Sequence, residues 1–173
     1  SLARYFDILE NRKTPKFQIA KRLPAKIAIN EPTEKLWVAH DKLIEEFQVL
    51  QNKIDKEKIR LEEIEIPDFS LYDLKTELAK RIFKHCHFCI RRCGGDRSKG
   101  EVGVCGSGDK IIVSTIFEHL GEEPEIVPSG TIFTCGCTLK CIHCQNWPIS
   151  QWVETGEAYS HRQLVSKIND LKR

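Results

Sequence analysis

The sequence predicts an α/β chain in three parts: a mainly helical arm over residues 1–85, a four-cysteine metal knuckle over 86–105, and a strand–loop–helix segment over 106–173. Three observations predict it. Apolar residues recur at helical spacing through the first half, two β-rich runs bounded by turn residues occupy the second, and all eight cysteines fall between Cys86 and Cys144.

The arm opens on a basic stretch in which Arg12, Lys13, Lys16, Lys21, Arg22 and Lys26 dominate, with seven basic and two acidic residues in the first thirty. No nucleic-acid motif accompanies it, so it reads as a solvated or internally neutralised segment, and nucleic acid stays open as a partner. From Thr33, the residues Leu36, His40, Leu43, Phe47, Leu50 and Ile54 alternate at intervals of four and three, the seam of a long amphipathic helix. Extended to about Leu61, it would be ~40 Å long at 1.5 Å per residue. Three heptads favour folding back on the body over dimerising, and His40 reads as a tolerated residue at the core edge. Pro67 closes this region. Ser70-Leu71-Tyr72-Asp73 then reads as a capping box opening a second helix, with Leu71, Leu74, Leu78 and Ile82 on one side.

Beyond the first cysteines, Ile111 to Phe117 reads as one strand and Gly130 to Thr134 as another. A last helix is expected from about Ser160 to Leu171, carrying Leu164, Ile168 and Leu171 on one stripe.

Composition narrows the chemistry. Lys and Arg number 27 against 25 Asp and Glu, and 40% hydrophobic with 30% charged residues suits a folded chain rather than a disordered one. No run approaches the ~18 apolar residues of a spanning helix, and Ser1 to Asp7 contains nothing like the apolar core of a signal peptide. The expected compartment is therefore the cytoplasm, where thiols serve as metal ligands more readily than as disulfides.

Cys86-x2-Cys89-x3-Cys93-x11-Cys105 offers four thiolates, enough to close a tetrahedral site. Structural zinc is the expected occupant, with a second iron–sulfur cluster as its competitor. His85 and His87 read as exposed neighbours of the first thiol. Arg91, Arg92 and Arg97 are candidates either to hydrogen-bond to sulfur or to serve a substrate, and the sequence leaves both open.

Cys137-x3-Cys141-x2-Cys144 follows the second expected strand. Three thiolates can hold three irons of a 4Fe-4S cube and leave the fourth iron free to bind an amino-acid group. This triplet resembles that of radical S-adenosylmethionine (radical SAM) proteins. The longer run from Ser129-Gly130-Thr131-Ile132-Phe133 to Cys144-Gln145-Asn146-Trp147-Pro148-Ile149-Ser150-Gln151 is similar to the branch related to pyruvate formate-lyase activating enzymes. Upstream, Cys86-His87-Phe88-Cys89, Arg92-Cys93-Gly94, Gly103-Val104-Cys105-Gly106 and His119-Leu120-Gly121-Glu122-Glu123-Pro124 are similar to the segment preceding the triplet in that branch. The resemblance covers roughly residues 70–171.

The resemblance implies a 4Fe-4S cluster on Cys137, Cys141 and Cys144, S-adenosylmethionine as cofactor, and its reductive cleavage to a 5′-deoxyadenosyl radical. That radical would activate or modify a protein or another substrate, with ferredoxin or flavodoxin as electron donor. The fold implied is the opening part of a partial (β/α) radical SAM barrel. Two positions depart from the pattern: His143 stands where an aromatic residue is usual, and Cys135 where a small hydroxyl residue is common.

Only 29 residues follow Cys144, and no Gly-Gly-Glu segment is among them. The chain is therefore expected to be the N-terminal part of such an enzyme, inactive by itself and dependent on a missing C-terminal half or a partner subunit. An alternative reading makes it a zinc-binding scaffold with two four-cysteine sites, Cys135 completing the second. An electron carrier is disfavoured, because a carrier needs a fully ligated cluster.

Overall fold

The computed structural model describes residues 2–153 and 155–171. The chain forms two compact units, residues 1–81 and 82–173.

The first unit is helical. Two short helices, α1 (Ala3–Leu9) and α2 (Lys16–Ala20), precede the long α3 (Thr33–Asp55), and α4 (Leu71–Lys84) follows. The expected seam of α3 is the face it buries, through Leu36, Leu43, Phe47 and Ile54, while His40 and Leu50 are half-buried at its margin. The helix stops short of Leu61. Glu57 takes a left-handed conformation at φ 55°, the Lys58 amide reaches the Lys53 carbonyl at 3.0 Å, and the Glu57 amide reaches Ile54 at 2.9 Å. This pair of bonds satisfies the last carbonyls of the helix without a glycine, which is why the stop was not legible.

The capping box at α4 is present. The Ser70 amide donates to Asp73 Oδ2 at 2.9 Å, and the Asp73 amide donates back to Ser70 Oγ at 3.3 Å. Leu71, Leu74 and Leu78 are buried with Ile19, Leu23, Leu61 and the α3 seam in one apolar cluster. Two backbone bonds lock the start of α4 to the segment after α2: Leu71 to the Leu23 carbonyl at 2.8 Å and Ala25 to that of Phe69 at 2.9 Å.

Much of the basic opening is neutralised inside this unit. Lys13 Nζ lies 2.8 Å from Asp7, Arg12 also pairs with Asp7, Arg4 pairs with Asp55, and Arg22 donates to the Ile64 carbonyl. Arg81 ties the start of α3 to α4, donating to the carbonyls of Ile29 at 2.6 Å and Glu31 at 2.8 Å and pairing with Glu77 at 2.9 Å.

The second unit holds a three-stranded sheet: β1 (Ile111–His119), β2 (Ser129–Thr134) and β3 (Glu157–Tyr159), in the order β2-β1-β3. Both expected strands form. They pair as an antiparallel hairpin, Phe117 opposite Thr131 and His119 opposite Ser129, with an irregularity between Val113 and Thr115. The short β3 pairs antiparallel to the other edge of β1, Ile111 opposite Tyr159. A (β/α) barrel is built from adjacent parallel strands joined by helical crossovers. The described sheet contains no parallel pair, and a connection of only nine residues between β1 and β2 suits a hairpin rather than a crossover.

Helix α5 (His161–Asp170) closes the unit, starting at a capping box in which Gln163 and Ser160 exchange bonds of 3.3 and 2.9 Å. It sits where the sequence predicts, and Leu171, just after it, lies over Gly130. The unit has little apolar interior. Among its described residues only Cys86, Val113 and Cys135 are buried hydrophobics, joined by buried Arg97 and Ser150.

Candidate metal centre

All eight cysteines are free thiols. The four of the first group line a single cavity of about 130 Å³, together with Arg97 and Thr138. The backbone explains how they gather. Cys86 exchanges two main-chain bonds with the glycine pair that follows Cys93, to the Gly95 carbonyl at 3.1 Å and from Gly94 at 2.9 Å, so that Cys86 and Cys93 lie side by side. Asp96 then caps a short turn, Arg97–Lys99, by accepting from the Ser98 amide at 3.0 Å. That turn sends the Arg97 side chain inward.

Arg97 is only 3% exposed. Its Nη1 donates to the carbonyls of Glu101, at 3.2 Å, and Ser107. Its Nη2 donates to three sulfurs, Cys93 Sγ at 3.1 Å, Cys86 Sγ at 3.5 Å and Cys105 Sγ at 3.9 Å. The arrangement leaves no space for a side chain at residue 103. A Cβ on Gly103 would lie 2.1 Å from Arg97 Nη2 and 2.5 Å from Cys93 Sγ.

Burial opposes thiolate formation at Cys93 and Cys105, but local donors outweigh it, so both pKa values lie below the ordinary thiol value. For Cys93 the donors are the amides of Gly95 and Val104, with the Arg97 charge adding to them. For Cys105 they are the Ser107 amide and hydroxyl, again with Arg97. Arg97 is itself held more firmly protonated, chiefly by its bond to Cys86. Of the three arginines the sequence left undecided, Arg97 is the one that engages sulfur. His85 and His87 are exposed and do not line the cavity, His87 Nδ1 instead meeting the His85 carbonyl at 2.7 Å.

The second group occupies the loop that leaves β2. Cys137 Sγ accepts from the Leu139 amide at 3.4 Å, and the amides of Lys140 and Leu139 hold its pKa below the ordinary thiol value. Cys144 Sγ lies 3.3 Å from Ser150 Oγ, a buried hydroxyl in the π-turn Pro148–Trp152. Gln151 from the same turn donates to the Cys141 carbonyl at 2.7 Å. Cys141 and His143 are exposed. Cys135 faces elsewhere: it is buried, its thiol donates to the Thr155 carbonyl at 2.7 Å, and burial alone raises its pKa.

The two groups meet through the backbone. The Cys137 amide donates to the Cys105 carbonyl at 3.0 Å, and the Gly136 amide to that of Ile149 at 2.8 Å. Gly136 sits at φ 90°, and a Cβ there would come within 2.5 Å of the Cys105 oxygen. Only glycine allows these loops to approach so closely.

Among the described residues no group of three or more His, Cys, Asp or Glu side chains converges at the distances of ligands to one ion. The first group thus shares a cavity without closing on a point. In the second, thiolates bound to different irons of a cube would not share a point in any case. The sequence reading did not single out Gly103, Ser107 or Ser150 as site residues, although the glycine two positions before Cys105 was a signal of close approach.

No family model and no solved structure matches the chain. Two proteins of Methanocaldococcus jannaschii do. The chain is similar to the uncharacterized protein MJ0674, 41% identical over 150 residues, which is 87% of this chain and 42% of that protein. It is also similar to the uncharacterized protein MJ0808, 29% identical over 83 residues, covering 39% of this chain and 24% of the other. The chain therefore matches less than half the length of either relative.

Proposed function

We propose that this chain is the cluster-bearing part of a radical SAM enzyme. In this reading Cys137, Cys141 and Cys144 hold a 4Fe-4S cluster, and a structural zinc sits at Cys86, Cys89, Cys93 and Cys105. The observation that carries it is the cysteine triplet on the loop leaving β2, with backbone amides directed at Cys137 Sγ and Cys135 Sγ engaged with Thr155 instead. A 4Fe-4S cluster held by Cys137, Cys141 and Cys144 would supply the single electron for reductive cleavage of S-adenosylmethionine. The chain's own residues have other tasks. The Leu139 and Lys140 amides stabilise the Cys137 thiolate, Ser150 meets Cys144, and Gln151 holds the loop at Cys141.

A structural metal at the first site is supported by the four thiols that line one cavity and by the few apolar residues the second unit buries, where a cross-link would add order. The remaining contacts to S-adenosylmethionine, and the substrate of the radical, belong in this reading to a further C-terminal part or partner subunit, with ferredoxin or flavodoxin as electron donor. The length of MJ0674 relative to the matched region supports this division.

Anaerobic reconstitution followed by iron, sulfide and zinc analysis tests the proposal. Cys137→Ser, Cys141→Ser and Cys144→Ser are each expected to abolish cluster assembly, whereas Cys135→Ser retains the iron. Equal metal loss in all four variants would replace this reading with a closed four-thiol site and a scaffold role. The chain alone is expected to yield little 5′-deoxyadenosine until the longer protein's remaining part is added, and robust production without it would refute the division of labour.

A further inference from the structure

We infer that Arg97 is the cap of the first metal site: its guanidinium lies over the triangular face formed by the sulfurs of Cys86, Cys93 and Cys105, and Cys89 is the ligand at the opposite vertex. The inference rests on the reading that these four cysteines hold a divalent cation of the zinc type.

Charge comes first. A guanidinium does not lose its proton in a protein, and burying one without compensation is costly. The partners of Arg97 are two backbone carbonyls and three sulfurs. The carbonyls supply only dipoles, and in this reading the counter-charge is that of the metal-loaded site itself. Four thiolates around one divalent ion leave two net negative charges, and the guanidinium reduces them to one.

Geometry then separates a cap from a plug. A donor at the centre of a tetrahedral nest would reach all four sulfurs, whereas a donor outside one face reaches three and misses the vertex behind. Nη2 reaches Cys93, Cys86 and Cys105 at 3.1, 3.5 and 3.9 Å. The Cys89 sulfur is not among its partners, yet Cys89 lines the same cavity, whose volume of about 130 Å³ remains beside the guanidinium. Nη1 is fixed independently by the carbonyls of Glu101 and Ser107, and Gly103 provides the space for the head group. Arg97 is therefore a positioning residue, which holds three ligands in place and tempers their charge without binding the ion.

The test uses the chain with Cys137, Cys141 and Cys144 all changed to Ser, so that metal reports on the first site alone. This parent is expected to hold one zinc and, with cobalt(II) in its place, to show the absorption of a tetrahedral thiolate site. Arg97→Met is expected to lower zinc affinity about 10–100-fold, the usual effect of losing a group that supports metal ligands. It should also move the sulfur-to-cobalt charge-transfer band to lower energy, since unbonded thiolates give up electrons more easily. Arg97→Lys restores part of both, and Arg92→Met, at an exposed position, changes neither. A purely structural role for Arg97 would not move the band. Should Arg97→Met not fold, Arg97→Lys decides alone: a displaced band with reduced affinity supports the cap, and parental values overturn it. Unchanged affinity and band in Arg97→Met overturn the cap while leaving the four-cysteine site standing, and tighter binding shows a plug. A parent that takes up neither zinc nor cobalt removes the metal reading itself.

Discussion

Gly136 shows how much one residue decides. It combines a φ of 90° with an approach to the Cys105 oxygen that leaves no room for a Cβ, and the next amide, that of Cys137, bonds to that same oxygen. Gly136→Ala must shift backbone on both loops at once, so the expected cost is about 1–3 kcal/mol. The variant should unfold at lower temperature and, after reconstitution, lose its cluster absorption faster than wild type. Equal melting and equal retention would mean that the two cysteine loops are not held together at this point. Cys135, one position earlier, acts differently. Its thiol is a small buried group bonded to Thr155, which is why its replacement by Ser is expected to spare the iron.

Among the elements, α4 depends most visibly on its first turn. Ser70 and Asp73 satisfy two amides that the helix leaves unpaired, and Ser70→Ala is expected to cost ~1 kcal/mol in denaturant unfolding. The bond from the Ser70 hydroxyl, followed by that from its amide, holds the Asp73 carboxyl below its ordinary pKa. Since the folded pKa is the lower one, the ionised carboxylate stabilises the fold above the unfolded value and loses that effect as pH falls through the folded one. Asp73→Asn should therefore melt below wild type at neutral pH, and the gap should narrow under about pH 4. A gap constant with pH would show that the carboxylate charge contributes nothing to the cap.

For the whole molecule, the contrast lies between two interiors. The first unit buries a continuous cluster running from Ile19 through Leu36 and Phe47 to Leu78. The second buries Cys86, Val113 and Cys135, and leaves Phe88, Ile90, Leu139 and Ile142 exposed around its cysteines. Small units with so thin a core usually need a metal or a partner. Removing metal from the first site with a chelator is expected to speed amide hydrogen exchange in residues 86–105 and leave residues 1–81 unchanged. Unaltered exchange in 86–105 after verified metal loss would deny the metal its structural role.

What the sequence determined by itself was whatever repeats locally or sits at a fixed spacing. The α3 seam, the Ser70 cap, the approximate span of the last helix, the strands on either side of the 120–128 connection and the grouping of thiols each depend on neighbours a few positions apart. The short α1, α2 and β3 were missed because they carry too few residues to show a period. Tertiary structure decided the rest. The antiparallel order β2-β1-β3 depends on which strand edges meet, and residue types in isolated runs do not encode that. The inward turn of Arg97 is equally out of reach, because Arg91, Arg92 and Arg97 are alike in type and only packing buries one of them. The bond between Cys105 and Cys137 links residues thirty-two positions apart and exists because Gly136 has no side chain. Chemistry-bearing residues are thus legible from their spacing, whereas their charges and partners are set by whichever groups the fold buries beside them.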